Sequence, residues 1–432
     1  MDVIEVAERA LDTGAVCDAC LGRLVADRSF GLTNAQRGNA MRVAAALAAD
    51  EPYEAPDATA CWVCEGECTR FEEYAERALA ALGGWEFRTY QVGTRVPPLL
   101  EENDRFLRED AGLPEDAGEG MNGEFNREVG KRIGAGVPEA DLDLERPDVL
   151  VLLDLSTDEI EVQVNSAFVY GRYRKLERDI PQTRWPCSDC GTTGRQRGAP
   201  CETCDGTGYR YGTSVEQLTA PVVLEAMKGS EAVFHGAGRE DVDALMLEGG
   251  RPFVIEVKEP RVRAVDVEDL QREVNEFADG RAEVLGLRLA THDMVERVKN
   301  LDASKTYRAT VEFADPVAPE DFRAALDELE GTTVDQRTPN RVSHRRADLV
   351  RTRTVYELDG ELTDDHHATV DIHGEGGLYV KELVSGDEGR TEPSLASLLG
   401  VESEVAALDV LRVEGEDEPF EDPDFFRDST AE

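Results

Sequence analysis

The sequence predicts an α+β protein of several domains whose largest sheet is mixed and mostly antiparallel. Three observations carry that reading. The chain has 432 residues, of which 41% are hydrophobic, enough to build more than one core. Segments of helical period and segments of strict alternation are interspersed along it. Cysteine pairs interrupt it in two places and separate regions of different composition.

Residues 1–75 are Ala-rich and helical in character, broken by the pairs Cys17/Cys20 and Cys61/Cys64. From 76 to 186 the pattern is mixed. Gly118, Gly120 and Gly123 mark a loop, Phe125–Ile133 a helix, and Val149–Leu155 and Ile160–Val164 two strands joined by a tight turn. Residues 187–212 are rich in Gly and Thr and read as a linker with its own metal. The largest domain spans 213–432. There Arg251–Val257 reads as a strand, and Asp266–Ala278 as a helix with Leu270, Val274 and Phe277 on one face. Tyr307, Ala309, Val311 and Phe313 alternate with Arg308, Thr310 and Glu312, the pattern of a half-buried strand. Phe322, Leu326 and Leu329 mark a further helix, and residues 349–373 a hairpin-like region. The tail after Glu414 is acidic and is expected to fray.

Asp and Glu number 91 against 47 Lys plus Arg, a formal net charge of -44. In dilute salt such a surface repels itself and repels nucleic acid. Only seven of the basic residues are lysine, and the acidic excess runs along the whole chain, the pattern expected of adaptation to concentrated cytoplasmic salt. At ~1 M the screening length is about 3 Å, so long-range repulsion fades while short arginine–phosphate contacts persist. The charge therefore describes habitat and does not exclude RNA as a partner. Residues 1–20 lack a basic start followed by an apolar run, and no segment approaches the ~18 apolar residues of a membrane span. A cytoplasmic protein without a membrane partner is expected, with a monomer as the default state.

In a reducing cytoplasm, C-x-x-C pairs read as metal ligands rather than disulfides. Two thiolates at that spacing take one edge of a tetrahedral ion, and two pairs close the site. Sequence order suggests one structural zinc on Cys17, Cys20, Cys61 and Cys64, and another on Cys187, Cys190, Cys201 and Cys204. Cys68 is left over, with a spacing that also lets it stand in for Cys64. The segment Cys201-Glu-Thr-Cys-Asp-Gly-Thr-Gly208 is similar to the repeat of cysteine-rich co-chaperones, but the four repeats and the separate J domain of that family are missing.

The most specific segment is Gly238-Arg239-Glu240-Asp241 and its continuation to Phe253. It resembles the archaeal and eukaryotic pseudouridine synthase family that acts on the TΨC arm of tRNA, and Gly238-Arg239-Glu240-Asp241 is similar to the Gly-Arg-Thr-Asp loop of the anticodon-arm pseudouridine synthases, whose Asp is catalytic. Two further motifs follow in the family's order: Lys305-Thr-Tyr307-Arg-Ala309, similar to its tyrosine-bearing strand, and Gly376-Gly-Leu-Tyr379-Val-Lys381, similar to its glycine turn followed by a basic residue. Phe168 to Lys175 resembles the end of the family's THUMP-type RNA-binding domain, and Arg341 to Arg346 its arginine loop. The resemblance thus covers nearly the whole chain.

It implies a pseudouridine synthase-type catalytic domain preceded by a THUMP-like, zinc-containing α+β region, and isomerisation of uridines 54 and 55 in tRNA without a catalytic cofactor. Asp241 would be the catalytic carboxylate, with Asp243 as the alternative two residues on. Tyr307 would stack on the target uracil, and Lys381, where an arginine is common, would keep the carboxylate ionised. Arg239 and Tyr379 would help to bind substrate. A carboxylate near C1′ can attack the sugar or remove the C2′ proton; both routes remain open. Two basic stretches stand out from the acidic background: Arg172, Arg174, Lys175, Arg178 and Arg184 interleaved with Tyr170, Tyr173 and Trp185, and Arg337, Arg341, His344, Arg345, Arg346, Arg351 and Arg353. Both suit phosphate contact with base stacking. The competing reading is a zinc-containing tRNA-binding protein without catalysis; the joint presence of Asp241, Tyr307 and Lys381 speaks against it.

Overall fold

Every second side chain of Val149–Asp154 is buried, so Val149, Val151 and Leu153 turn to the core as the alternation requires. In the computed structural model, which describes residues 2–301, 303–340, 347–415 and 420–427, this strand is central to the first of two units, Met1–Asn165 and Ser166–Glu432. The sheet of the first unit has the order Asp141–Leu142, Thr89–Arg95, Val149–Asp154, Glu159–Val164, parallel at the first two joints and antiparallel at the last. Helix Met121–Gly136, longer by a turn or so than its apolar stripe, buries Phe125, Val129 and Ile133 at four-residue spacing. The Tyr90 hydroxyl donates to the Gly130 carbonyl at 3.0 Å and ties this helix to the sheet.

Two helices, Asp18–Arg23 and Asn34–Ala49, carry and brace the first cysteine pair. The longer one opens with a capping box between Thr33 and Gln36. They cross at glycines: a Cβ on Gly22 would stand 1.8 Å from the Asn34 carbonyl, and one on Gly38 1.9 Å from that of Asp18. No side chain fits at either place.

The second unit is built on a ten-stranded sheet. Its path runs Ala282–Ala290, Ala167–Lys175, Met246–Lys258, Ser403–Gly415, Ala303–Phe313, His367–Gly374, Val350–Leu362, Thr333–Arg337 and Thr391–Glu392, with Glu231–Gly236 also paired to Met246–Lys258. Every joint is antiparallel except that of Ser403–Gly415 with Met246–Lys258. Helices Val215–Met227 and Val267–Ala278 cover one end of the sheet with Phe253, Ile255, Leu270 and Val274. Helix Pro319–Leu329 covers the other with Phe322, Leu326, Val311 and Val370.

Two expectations change. The segment Ala167–Lys175 is not the end of the first unit but an internal strand of the second, held between Ala282–Ala290 and Met246–Lys258, so the units divide after Asn165 and not at 186. Residues 420–427 of the acidic tail pack back. Phe420, Phe425 and Phe426 lie against the cluster of Tyr170, Ala290 and Met294, and the Arg288 guanidinium sits 3.3 Å from the Phe426 ring centroid. Three aromatic rings outweigh the charge of their neighbours.

Candidate active site and metal centres

Residues 237–245 connect strands Glu231–Gly236 and Met246–Lys258, and nearly all of this loop's backbone is held from beneath. Gly238 takes the left-handed conformation, φ +68°, which only glycine adopts freely. Its carbonyl accepts from Gln182 at 2.8 Å. Arg251, buried in the sheet, donates to the Ala237 carbonyl at 2.9 Å and to the Glu240 carboxylate at 2.8 Å. The buried Tyr173 hydroxyl donates to the same carboxylate at 2.8 Å. Lys175 donates to the carbonyls of Ile180, Asp241 and Val242 at 2.9 to 3.1 Å. Arg178 holds the Asp243 carbonyl and forms a two-pronged pair with Asp409, which also accepts from the Leu245 amide. With Glu240 turned inward, the side chains left exposed on this stretch are those of Arg239, Asp241 and Asp243.

Lys381 lies across from these carboxylates. Its ammonium is 3.8 Å from Asp241 and 3.9 Å from Asp243, distances of charge attraction without a close hydrogen bond. It stands in the first turn of the short helix Val380–Ser385, whose N-terminal neighbour Tyr379 is fixed by the buried Gln336: the Tyr379 amide donates to its Oε1 at 2.8 Å, and its Nε2 donates to the Tyr379 carbonyl at 2.9 Å. The half-buried Tyr307 comes from the central strand Ala303–Phe313. Burial raises the pKa of its hydroxyl, with Arg251 opposing and the charge of Asp241 adding to the rise. Asp241, Tyr307 and Lys381 thus converge, with Asp243 beside them. Arg251, Gln182, Asp409 and Gln336, which shape the site from below, had no role assigned from sequence; Glu240 stood in the motif without a role of its own, and Tyr173, expected to stack on RNA, is instead buried beneath the loop.

The first basic stretch needs correction as an RNA contact. Lys175 has no exposed surface and spends its ammonium on the loop carbonyls; burial lowers its pKa, with Glu240 and Asp243 acting against that shift. Arg172 donates to the carbonyls of Gly249, Gly250 and Val413, and Arg174 to that of Glu248 and to the Glu283 carboxylate. These side chains serve the sheet. In the second stretch, Arg337 pairs with Asp348 and Arg353 with Glu375, while Arg341, His344, Arg345 and Arg346 lie outside the described residues.

Both cysteine sets converge. In the second, the sulfurs of Cys187 and Cys201 are 3.9 Å apart and those of Cys190 and Cys204 3.7 Å. Tetrahedral zinc with Zn–S near ~2.3 Å has sulfur–sulfur edges of about 3.8 Å, so this donor set fits. The first set differs from expectation. The four sulfurs grouped within 4.8 Å of one another are those of Cys17, Cys20, Cys64 and Cys68. Cys61 is a fifth, 3.8 Å from the Cys20 sulfur, and accepts from the Cys17 amide. Cys68 therefore competes with Cys61, not with Cys64. The fully buried Arg23 donates to the sulfurs of Cys20 and Cys68 while pairing with Asp104 and Glu124, a fixed positive charge beside a cluster that carries excess negative charge once its thiols ionise.

Residues 168–414 match the family model described as Pus10, C-terminal, and residues 74–154 the one described as Pus10 THUMP domain, archaeal. The chain is 65% identical to the tRNA pseudouridine synthase Pus10 of Halorubrum lacusprofundi over 99% of its own length and 100% of the relative's. It is 44% identical to that of Methanothrix thermoacetophila over 96% and 95%. It belongs to the Pus10 family. Among solved structures, a chain of a Cbf5-Nop10-Gar1 complex is similar at 18% identity and a TM-score of 0.30, covering 48% of this chain and 47% of that one; a score this low does not define a shared fold. No helix among the described residues is long and apolar enough to cross a membrane.

Proposed function

We propose that this chain is a tRNA pseudouridine synthase that isomerises uridines 54 and 55 in the TΨC arm, with Asp241 as the catalytic carboxylate. The observation that carries the reading is a loop whose backbone is clamped from below while the Asp241 carboxylate stands free, 3.8 Å from the Lys381 ammonium. The reaction breaks the N1–C1′ bond, turns the base while it is held and joins C1′ to C5, with no redox change and no net hydrolysis. Asp241 would act at C1′ or at the C2′ proton, Tyr307 would support the base by its ring, and the target would be flipped out of the arm to reach them. Asp241 is preferred to Asp243 because it holds the aspartate position of the Gly238-Arg239-Glu240-Asp241 loop.

Two zinc ions, one in each cysteine centre, would serve the fold and supply no chemistry to the reaction. The excess of carboxylates suits a cytoplasm of molar salt, and the relative from Halorubrum supports that reading. Folding and turnover should then require high KCl; a maximum at ~0.1 M with decline above it, as counterion release alone would give, would refute the halophilic assignment.

The direct test is pseudouridine mapping by mass spectrometry in tRNA incubated with purified protein. Asp241→Ala should abolish conversion and leave tRNA affinity within a few-fold of wild type. Near-normal turnover in Asp241→Ala, with loss in Asp243→Ala, would move the catalytic role two residues on.

A further inference from the structure

The first basic stretch is consumed by its own sheet, yet one group of arginines a few residues later is not. Arg184, Arg210 and Arg239 are exposed, and among the described residues none of the three guanidinium groups is paired with a carboxylate, although the Arg184 backbone amide donates to Glu216 at 3.0 Å. In a chain with 91 acidic residues that is unexpected, because a free guanidinium readily finds an anion. These three lie on aromatic rings instead. The Arg184 guanidinium is 3.7 Å from the Tyr209 ring centroid, that of Arg210 is 5.6 Å from Tyr211 and 5.9 Å from Trp185, and that of Arg239 is 5.5 Å from Trp185. Trp185 and Tyr211 meet edge to face at 5.5 Å.

The cysteine module is what gathers these residues. Its two ends form a short antiparallel stem: Pro186 bridges Tyr209, the Cys187 amide donates to the Gly208 carbonyl and the Arg210 amide to that of Trp185, both at 2.9 Å. The Gly208 amide donates to the Cys204 sulfur at 3.2 Å, so the residue before Tyr209 is bonded to one of the four sulfurs. A metal held by those sulfurs would fix the stem and, through it, the spacing of the rings. At the far side of the group, Arg239 is two residues from Asp241 on the clamped loop.

From this we infer that Trp185, Tyr209 and Tyr211 with Arg184, Arg210 and Arg239 form a platform for an unpaired nucleotide of the RNA substrate next to the target uridine, the rings offering faces for a base and the guanidinium groups taking the flanking phosphates. Partly buried rings interleaved with unpaired cations match the chemistry of a single-stranded polyanion with π-faces. A protein partner would instead call for an apolar centre depleted of charge. The platform rests on the function proposed above but is read by binding, so the two can fail separately.

The test uses the full-length, zinc-loaded protein in molar KCl, with unmodified tRNA transcript and a fully paired RNA duplex as probes. Stacking of a base on an aromatic ring is worth roughly 5- to 150-fold per base. Trp185→Ala and Arg210→Ala should each weaken tRNA binding by roughly 10-fold, Trp185→Phe should restore most of it, and duplex affinity should stay unchanged. Zinc content reports whether Trp185→Ala keeps the module intact; if it does not, the exposed Arg210 decides. Wild-type tRNA affinity in Arg210→Ala and in an intact Trp185→Ala would overturn the platform, as would equal losses against the duplex. Either result would leave the role of Asp241 standing, whereas normal conversion in both Asp241→Ala and Asp243→Ala would remove the catalytic reading whatever the platform binds.

Discussion

The two cysteine centres share one sequence pattern and sit in opposite surroundings. Cys17, Cys20, Cys61 and Cys64 are part of the main core of the first unit, together with Leu21, Val63, Tyr74 and Phe125. In the second centre Cys187, Cys201 and Cys204, with Cys190 packed on them, are the whole of their cluster. The segment around them has two strands of two residues each and otherwise turns. A metal in the first centre reinforces a core that exists without it, while a metal in the second substitutes for one. The same four thiols can thus be a rivet or the entire frame, depending on how much apolar surface the neighbours bury.

The largest expected effect follows from that contrast. A structural zinc ion is worth on the order of 10 kcal/mol, and residues 187–211 have nothing comparable to set against its loss. Chelation should make the backbone at the already exposed Arg195 and Arg197 cleavable by trypsin and abolish amide protection there, while the helices of the first unit keep their circular dichroism. Continued protection of 187–211 in metal-free protein would mean that the module owes its shape to something other than the metal.

Next comes the core that the first unit has and the module lacks. Phe125→Ala removes a fully buried ring that packs on Phe71 and Tyr74, and should cost the first unit about 3 to 5 kcal/mol. Denaturant titration would read this as a lower midpoint, with exchange in 187–211 unaltered. A change in both regions would show that they do not unfold independently.

Arg23→Met probes the electrostatic half of the same contrast. It strands Asp104 and Glu124 in the core without their shared partner, although Arg108 continues to pair with Asp104. About 3 kcal/mol of destabilisation is expected, because breaking a buried pair leaves an uncompensated charge. Glu124, whose pKa burial already raises against the pull of Arg23, should rise further. That added penalty applies above its folded pKa and fades as the carboxyl is protonated, so the deficit of the variant should shrink on acidification. A pH-independent deficit would point to lost packing instead.

The smallest effect, and the sharpest discriminator, is ligand redundancy. With five sulfurs available in the first centre, Cys61→Ser or Cys68→Ser alone should leave both metal ions of the chain bound, and the double variant should lose one. Cys190→Ser should lose one by itself, since its centre has four sulfurs and no spare. Metal analysis of the four variants decides the matter, and loss of an ion in either single variant of the first centre would end the claim of a spare ligand there.

Much of the fold was readable because its signals are local. Asp266 caps Val267–Ala278 where the apolar stripe begins, and the alternation from Tyr307 to Phe313 falls within the central strand Ala303–Phe313. The three motifs that bring Asp241, Tyr307 and Lys381 together were also readable, each being a short run of residues. The basic stretch misled because exposure was inferred from charge alone. In Ala167–Lys175, an internal strand, Arg172 turns to the carbonyls of Gly249 and Gly250, and Lys175 to those of Ile180, Asp241 and Val242. The tail misled for the converse reason, its net charge hiding three phenylalanines.

What the sequence determined by itself is therefore chemistry and period: the thiol pairs, the acidic loop with its glycine, the tyrosine strand, the lysine turn, and the charge suited to salt. Tertiary structure decided which groups remain free to act. Glu240 and Asp241 are adjacent carboxylates, and only the distant Arg251 and Tyr173 draw the first inward. Gln336 fixes Tyr379 across 43 residues, and Arg178 meets Asp409 across 231. Such pairs leave no periodic trace along the chain, because the energy that selects them comes from satisfying buried polar groups in one packed arrangement.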